Sequence, residues 1–127
     1  MTWMVIVFES RRGEKFVEEF IKSLEPPTIA KVAHTIDLLE KHGPLLGMPH
    51  SKYLTSKLHE LRVRGRQEVR VMYTVDGNKI YLLHAFRKHT QKTPAKEIDI
   101  ALRRMREVRW VICQYILCIF GKKIFCL

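Results

Sequence analysis

Residues Gln67–Phe86 read QEVRVMYTVDGNKIYLLHAF, and their periodicity decides the fold. Val69, Val71, Tyr73 and Val75 alternate with Glu68, Arg70, Met72 and Thr74, the period-two pattern of a strand with one apolar face. Asp76-Gly77 is a residue pair suited to a tight hairpin turn, so NKIYLLHAF is the return strand. Just upstream, LHELRVR (58–64) alternates in the same way, with Leu61 and Val63 on one side and Glu60, Arg62 and Arg64 on the other. Three consecutive strands of this kind predict an antiparallel meander.

Working outward, PLLGMPHSKYLTSK (44–57) reads as a turn-rich connection. Before it, SRRGEKFVEEFIKSL (10–24) sets Phe16, Phe20 and Leu24 on one helical stripe. Pro26-Pro27 stop that helix. TIAKVAHTIDLLEKHG (28–43) starts another with Ile29, Val32, Ala33, Ile36 and Leu39 in register, and Gly43 suits its C-terminal end. WMVIVF (3–8) is a first strand. After the meander, Thr93 fits an N-cap with Pro94 as the first helical residue, and Ile98, Ala101, Leu102, Met105 and Val108 line a closing helix. The predicted order is β-α-α-β-β-β-α, an α+β domain with helices packed on one face of a small antiparallel sheet.

That domain is expected to span residues 1–108. Residues 109–127, RWVICQYILCIFGKKIFCL, change composition abruptly and form an apolar C-terminal extension: an extra strand or helix on the core, or an appendage of another kind. Its apolar run from Trp110 to Phe120 falls short of the roughly 20 residues a membrane-spanning helix needs. Cys113, Cys118 and Cys126, the three cysteines, all lie in this segment. The body therefore carries no disulfide framework, which fits a reducing, cytoplasmic setting. No Cys-x-x-Cys pair or His/Cys cluster points to a metal, and no cofactor motif is present.

Lys and Arg number 23 against 13 Asp and Glu, leaving a net charge of +10 in 127 residues. Such an excess points to a polyanion, nucleic acid first, or to an acidic binding protein. The strand geometry concentrates it. With Asp76-Gly77 at the hairpin tip, Arg70 is expected roughly opposite His84, with Arg87 and Lys88 three or four residues further along at about 3.4 Å each. Arg62 and Arg64 of the preceding strand could join this face, with His89 and Gln91 where the last strand ends. Arg66 and Lys92 extend the same set of phosphate-binding candidates. Arginine offers a bidentate fork to phosphate oxygens and lysine a point charge.

Metal-independent RNA cleavage needs little beyond such a cradle. A 2′-hydroxyl must be deprotonated, cations must stabilise the pentacoordinate phosphorus, and an acid must protonate the leaving oxygen. Arg70, Arg87 and Lys88 are the candidates for charge stabilisation, and His89 for acid–base work. Plainer readings stand beside these. Arg62, Arg64 and Arg66 equally fit a solvated basic face, His89 an ordinary loop residue, His84 a packed histidine, and Tyr73 a core position.

The block Lys57–Arg104 resembles the RelE/HigB superfamily of toxins, in its phage-derived HigB-like branch. The resemblance rests on L-x-E-L-R (58–62), R-V-M-Y (70–73), L-L-H-A-F-R-K-H-T-Q-K-T-P (82–94) and E-I-D-I-A (97–101), and extends over about Thr2 to Val108. It implies a RelE-like fold and the toxin of a type II toxin–antitoxin module: an endoribonuclease, or mRNA interferase, that cuts messenger RNA on the ribosome and needs no metal or cofactor. It also implies a helix-turn-helix, HigA-like antitoxin as partner, with operator DNA bound only through the toxin–antitoxin complex. Carried over by position, the R-V-M-Y arginine is Arg70, the basic pair closing the last strand is Arg87-Lys88, and His89 follows it. The extension from Arg109 departs from the family pattern. A binding module that keeps the fold without catalysis is the alternative.

Overall fold

The computed structural model describes residues 3–89 and 92–120, with residues 109–120 described only as helix. Eight principal elements follow one another: β1 (Met4–Val7), α1 (Phe16–Lys22), α2 (Pro26–His42), β2 (Ser51–Thr55), β3 (Leu58–Val63), β4 (Val69–Asp76), β5 (Lys79–Arg87) and α3 (Ala95–Phe120). They build a five-stranded sheet of order β1-β5-β4-β3-β2. The β2–β5 meander is antiparallel, but β1 runs parallel to β5, with Met4 beside Lys79 and Val7 beside Leu82. The α+β class holds, while the sheet is mixed rather than antiparallel.

The additional strand is β2, inside the stretch expected to be a turn-rich connection. It pairs with β3 through a two-residue turn at Ser56 and Lys57, whose φ angles are +49° and +67°. The Thr74 hydroxyl donates to the Lys57 carbonyl at 2.9 Å, tying this turn to β4. The next hairpin lies where Asp76-Gly77 placed it, with Asp76 opposite Lys79 and Gly77 at φ +61°.

Helices cover both faces of the sheet, not one. Val17, Leu24, Val32 and Leu39 of the α1–α2 region pack on Leu61, Val63, Val71, Tyr73, Ile80 and Leu82. On the other face, Ala101 and Met105 of α3 pack on Phe8, Leu58, Met72, Tyr81 and Leu83. Central strands buried on both sides no longer need an apolar–polar alternation, and every residue from Val69 to Thr74 is buried.

The helix stripes follow from this packing. In α1 the buried position is Val17, with Phe20 half-buried; Phe16, placed on the stripe from sequence, is exposed and carries the Arg104 guanidinium 4.6 Å from its ring centroid. In α2 the buried stripe is Thr28, Val32, Thr35 and Leu39, and Ala33 faces outward. Pro26 and Pro27 form the first turn of α2 rather than the stop of α1. At its other end Gly43, at φ +55°, donates its N–H to the Leu39 carbonyl. A Cβ on Gly43 would come within 2.3 Å of the Trp3 ring, so that position requires glycine.

Candidate functional site

The β3–β4 pairing sets Arg62 beside Arg70 and Glu60 beside Met72, on the face that α3 only partly covers. Past the first turn of α3 that face becomes charged. Glu60, 1% exposed, accepts the Thr93 hydroxyl at 2.6 Å and lies 3.5 Å from Arg62 Nε and 3.4 Å from Arg70 Nε. Thr93 therefore serves the sheet instead of capping α3. The helix opens one residue later than expected, at Ala95, with Ile98 N–H donating to the Pro94 carbonyl.

Arg70 is 4% exposed. Its Nη1 and Nη2 reach the Val69 carbonyl and the Glu68 carboxylate at 3.3 and 3.4 Å, both long for hydrogen bonds. Its Nε has the ion-pair distance to Glu60 but not the alignment, and this buried donor has no hydrogen-bond partner among the described residues. Burial first, and then the Arg62 and Arg64 charges, pull the Arg70 pKa below its usual value, against the pull of Glu60 and Glu68. A buried cation left partly unsatisfied is unusual.

Lys88 continues the ladder beyond β5 through its backbone N–H, which donates to the Glu68 carbonyl at 2.9 Å. Its ammonium pKa is lowered by burial first and then by Arg70 and Arg62, with Glu60 and Glu68 opposing. Arg62, Arg64, Arg70 and Lys88 thus share one electrostatic neighbourhood with Glu60 and Glu68: four cations and two carboxylates. Such an arrangement can hold a phosphodiester and stabilise charge developing on its oxygens.

Not every residue singled out from sequence joins them. Arg87 pairs with Val69, whose side chain belongs to the α1–α2 face, so it stands on the opposite side of the sheet from Arg70. His89 is exposed and directly follows Lys88; Arg64, Arg66 and Lys92 are exposed, and Gln91 lies outside the described residues. Arg70 stands opposite Phe86 rather than His84: the turn pairs Asp76 with Lys79, which alone would set Arg70 against Ala85, and a bulge between Met72 and Tyr73 shifts the register one residue further.

His84 instead packs beneath α3. Its Nε2 meets the Glu97 carboxylate, while Arg104 Nη1 approaches its Nδ1 at 3.2 Å and donates to the Leu83 carbonyl at 3.0 Å. Burial holds its pKa below the ordinary histidine value despite Glu97. Tyr73 is 1% exposed on the α1–α2 face and shares a hydrogen bond with the Ser51 hydroxyl. Burial raises its pKa, with the Ser51 bond opposing, and the position is one of core packing. Among the described residues no group of three or more His, Cys, Asp or Glu is gathered to hold a metal, and no helix is long and apolar enough to cross a membrane.

Glu60 and Thr93 are the members of the site that residue type alone did not single out. The signal available was an acidic residue alternating onto the same side as Arg62 and Arg70.

The family described as "Phage derived protein Gp49-like (DUF891)" matches residues 19–106. The chain belongs to this family. The matched region runs from α1 into α3 and contains the whole charged cluster of this Gp49-like protein. No curated protein matches it. Among solved structures, it is similar to a chain of the YoeB-YefM complex from Staphylococcus aureus, at 19% identity and a TM-score of 0.49, covering 68% of this chain and 98% of that one.

Proposed function

We propose that this Gp49-like protein is the toxin of a type II toxin–antitoxin module, acting as a metal-independent, ribosome-associated endoribonuclease on messenger RNA. Two things support the reading: the RelE/HigB character of the family and of the Lys57–Arg104 motifs, and the buried, incompletely satisfied Arg70 guanidinium amid Arg62 and Lys88. The second carries it, because a basic surface alone needs no buried cation. The catalytic unit is residues 1–108.

In this mechanism an RNA 2′-oxygen attacks the adjacent phosphorus. A 2′,3′-cyclic phosphate forms and the bond to the 5′-oxygen breaks. Lys88 and Arg70 stabilise the charge on the non-bridging oxygens, Arg62 and Arg64 hold the flanking phosphate, and Glu60 fixes the two guanidiniums beside it. His89, next to Lys88 and open to solvent, takes the 2′-hydroxyl proton and returns one to the leaving oxygen. The partners are a HigA-like helix-turn-helix antitoxin, the ribosome with its message, and operator DNA only through the antitoxin complex; the setting is cytoplasmic.

Lys88→Ala is the clean probe. It is expected to lower cleavage about 10²-fold, the effect of losing one transition-state donor, with folding and antitoxin binding retained. Arg70→Ala is not equivalent, because it also strips Glu60 of an ion-pair partner and so destabilises the fold. Induced expression in bacteria, with transcript ends mapped and the neighbouring gene present or absent, tests the whole reading. Cuts in translated messages, relieved by the neighbour, support it. A wild-type protein that is well expressed, arrests nothing and cuts nothing is instead the non-catalytic binding module, in which the Glu60 ion pairs are structural.

A further inference from the structure

A second basic feature adjoins the charged cluster and shares Arg62 and Arg64 with it, while its other cationic residues are used by none of the chemistry above. Between α2 and the end of β3 lies a groove of about 400 Å³. Lys31 and His34 of α2 line one side, His50 stands at the entry to β2, and Arg62 and Arg64 close the other side. None of the lining residues is acidic, and Val63 and Pro49 supply apolar wall. Lys31 is brought in by a close approach: a Cβ on Gly65 would lie 2.6 Å from Lys31 Nζ, so the ammonium rests against the turn that follows Arg64. Arg62 belongs both to this groove and, through its Nε contact with Glu60, to the charged cluster.

We infer that this groove is a subsite for the ribose-phosphate backbone of single-stranded RNA flanking the bond held at Arg70 and Lys88. The inference rests on the RNA-cleavage reading and adds to it a direction in which the strand leaves the site. Continuity argues for RNA over an acidic peptide, since Arg62 and Arg64 line the groove and also act on Arg70, so a polynucleotide held at the cluster meets the groove on passing round the end of β3. The mixed wall argues the same way. Cations that follow a backbone, set beside imidazole rings and apolar surface that sequence-tolerant bases can lie against, are how unpaired strands are bound.

The test separates the groove from the cluster by ligand length. Lys31 and His34 are exposed helix positions, so Lys31→Glu with His34→Glu leaves the core untouched. Binding is measured by fluorescence anisotropy on the full chain, with a labelled 2′-O-methyl RNA 12-mer, a 2′-O-methyl dinucleotide and an oligoglutamate peptide, across a salt series. The 12-mer is expected to bind the double variant at least tenfold more weakly, with a log–log salt slope shallower by ~0.7 for each phosphate no longer neutralised. The dinucleotide is expected to bind variant and wild type alike. Lys88→Ala weakens both RNA ligands and so reports on the cluster independently. Loss of 12-mer affinity in Lys88→Ala but not in the groove variant overturns the subsite and leaves the cluster reading standing. Peptide binding that falls in the groove variant while 12-mer binding does not also overturns it and assigns the groove to an acidic protein partner. No RNA binding by the wild type at all overturns the cluster reading and the subsite together.

Discussion

The two faces of the sheet are made by the same strands and finished differently. On the α1–α2 face an apolar layer of Leu61, Val63, Val71, Tyr73, Ile80 and Leu82 lies beneath the helices. On the α3 face the apolar contact stops partway, and Glu60, Arg62, Arg70 and Lys88 occupy the remainder. Burial is nearly as deep there, since Glu60 and Arg70 are 1% and 4% exposed. The difference is therefore one of chemistry and not of depth. One face stabilises the fold, and the end of the other holds buried charge whose desolvation the ion pairs only partly offset. Proteins concede stability in this way at sites that act on something else.

The largest effect that tests this contrast belongs to the apolar face. Leu39 is fully buried against the sheet, and Leu39→Ala is expected to cost about 2–5 kcal/mol, read as a lowered urea midpoint at unchanged slope. Lys88→Ala at the charged end is expected to stay within about 0.5 kcal/mol of wild type. Equal shifts in the two variants would remove the distinction between the faces.

Next in size is a comparison of a single and a double variant at the charged end. Glu60→Gln leaves Arg62 and Arg70 side by side without their shared carboxylate and is expected to cost about 2 kcal/mol. Glu60→Leu combined with Arg70→Met removes the Glu60–Arg70 ion pair, and is expected to recover that loss or exceed wild type by about 1 kcal/mol while abolishing cleavage. A double variant less stable than Glu60→Gln would mean that these ion pairs hold the fold rather than the site.

One histidine on each face gives the contrast a pH dependence. His59 is stacked on Tyr73 on the α1–α2 face, and His84 is held beneath α3. Burial lowers both pKa values, with Glu97 opposing and Arg104 assisting at His84. The unfolded chain takes up these protons as pH falls through about 6.5, whereas the folded chain resists until its own lower pKa values. Stability contributed by the neutral rings is thus complete above that range and is lost on acidification, by at most ~1.4 kcal/mol per pH unit for each group. Melting temperature between pH 7.5 and 5 is expected to fall, and His59→Gln and His84→Gln each to flatten the slope. A flat profile in the wild-type protein would mean that neither imidazole is kept neutral by the fold.

What is legible in the sequence follows from how local each signal is. The alternation in β3 and β4, the Asp76-Gly77 turn and most of the α2 stripe are written in adjacent residues, and they stand as read. The bulge after Met72 leaves no local trace, so even counting from the Asp76–Lys79 pair would set Arg70 against Ala85 rather than Phe86. Phe16 fits a helical stripe by spacing, yet it lies under Arg104, which arrives from α3. In the site, cations are visible by residue type, so Arg62, Arg70 and Lys88 stand out. Arg87 stands out with them, although one residue of parity puts it on the other face. Glu60 stays hidden, because an acid in a basic strand reads as a solvated residue until its burial is seen.

The smallest effect concerns the edge that serves both faces. β2 escapes a reading of the sequence because its hairpin turns through Ser56 and Lys57, two residues with no glycine or asparagine to announce positive φ. Yet β2 contributes to each side, with Leu54 packed in the α3 cluster and Ser51 bonded to Tyr73 on the other. For side chains with a Cβ the left-handed region costs roughly 1 kcal/mol, whereas Asn-Gly is the preferred pair for a two-residue turn of this hand. Ser56→Asn with Lys57→Gly is therefore expected to raise stability by about 1 kcal/mol. The Lys57 carbonyl that accepts from Thr74 is backbone and survives the change. A raised urea midpoint with cleavage unchanged would show that β2 stabilises both faces without entering the chemistry of either. A lowered midpoint would mean that the chain does not turn through positive φ at these two residues, and that the edge of the sheet is held in some other way.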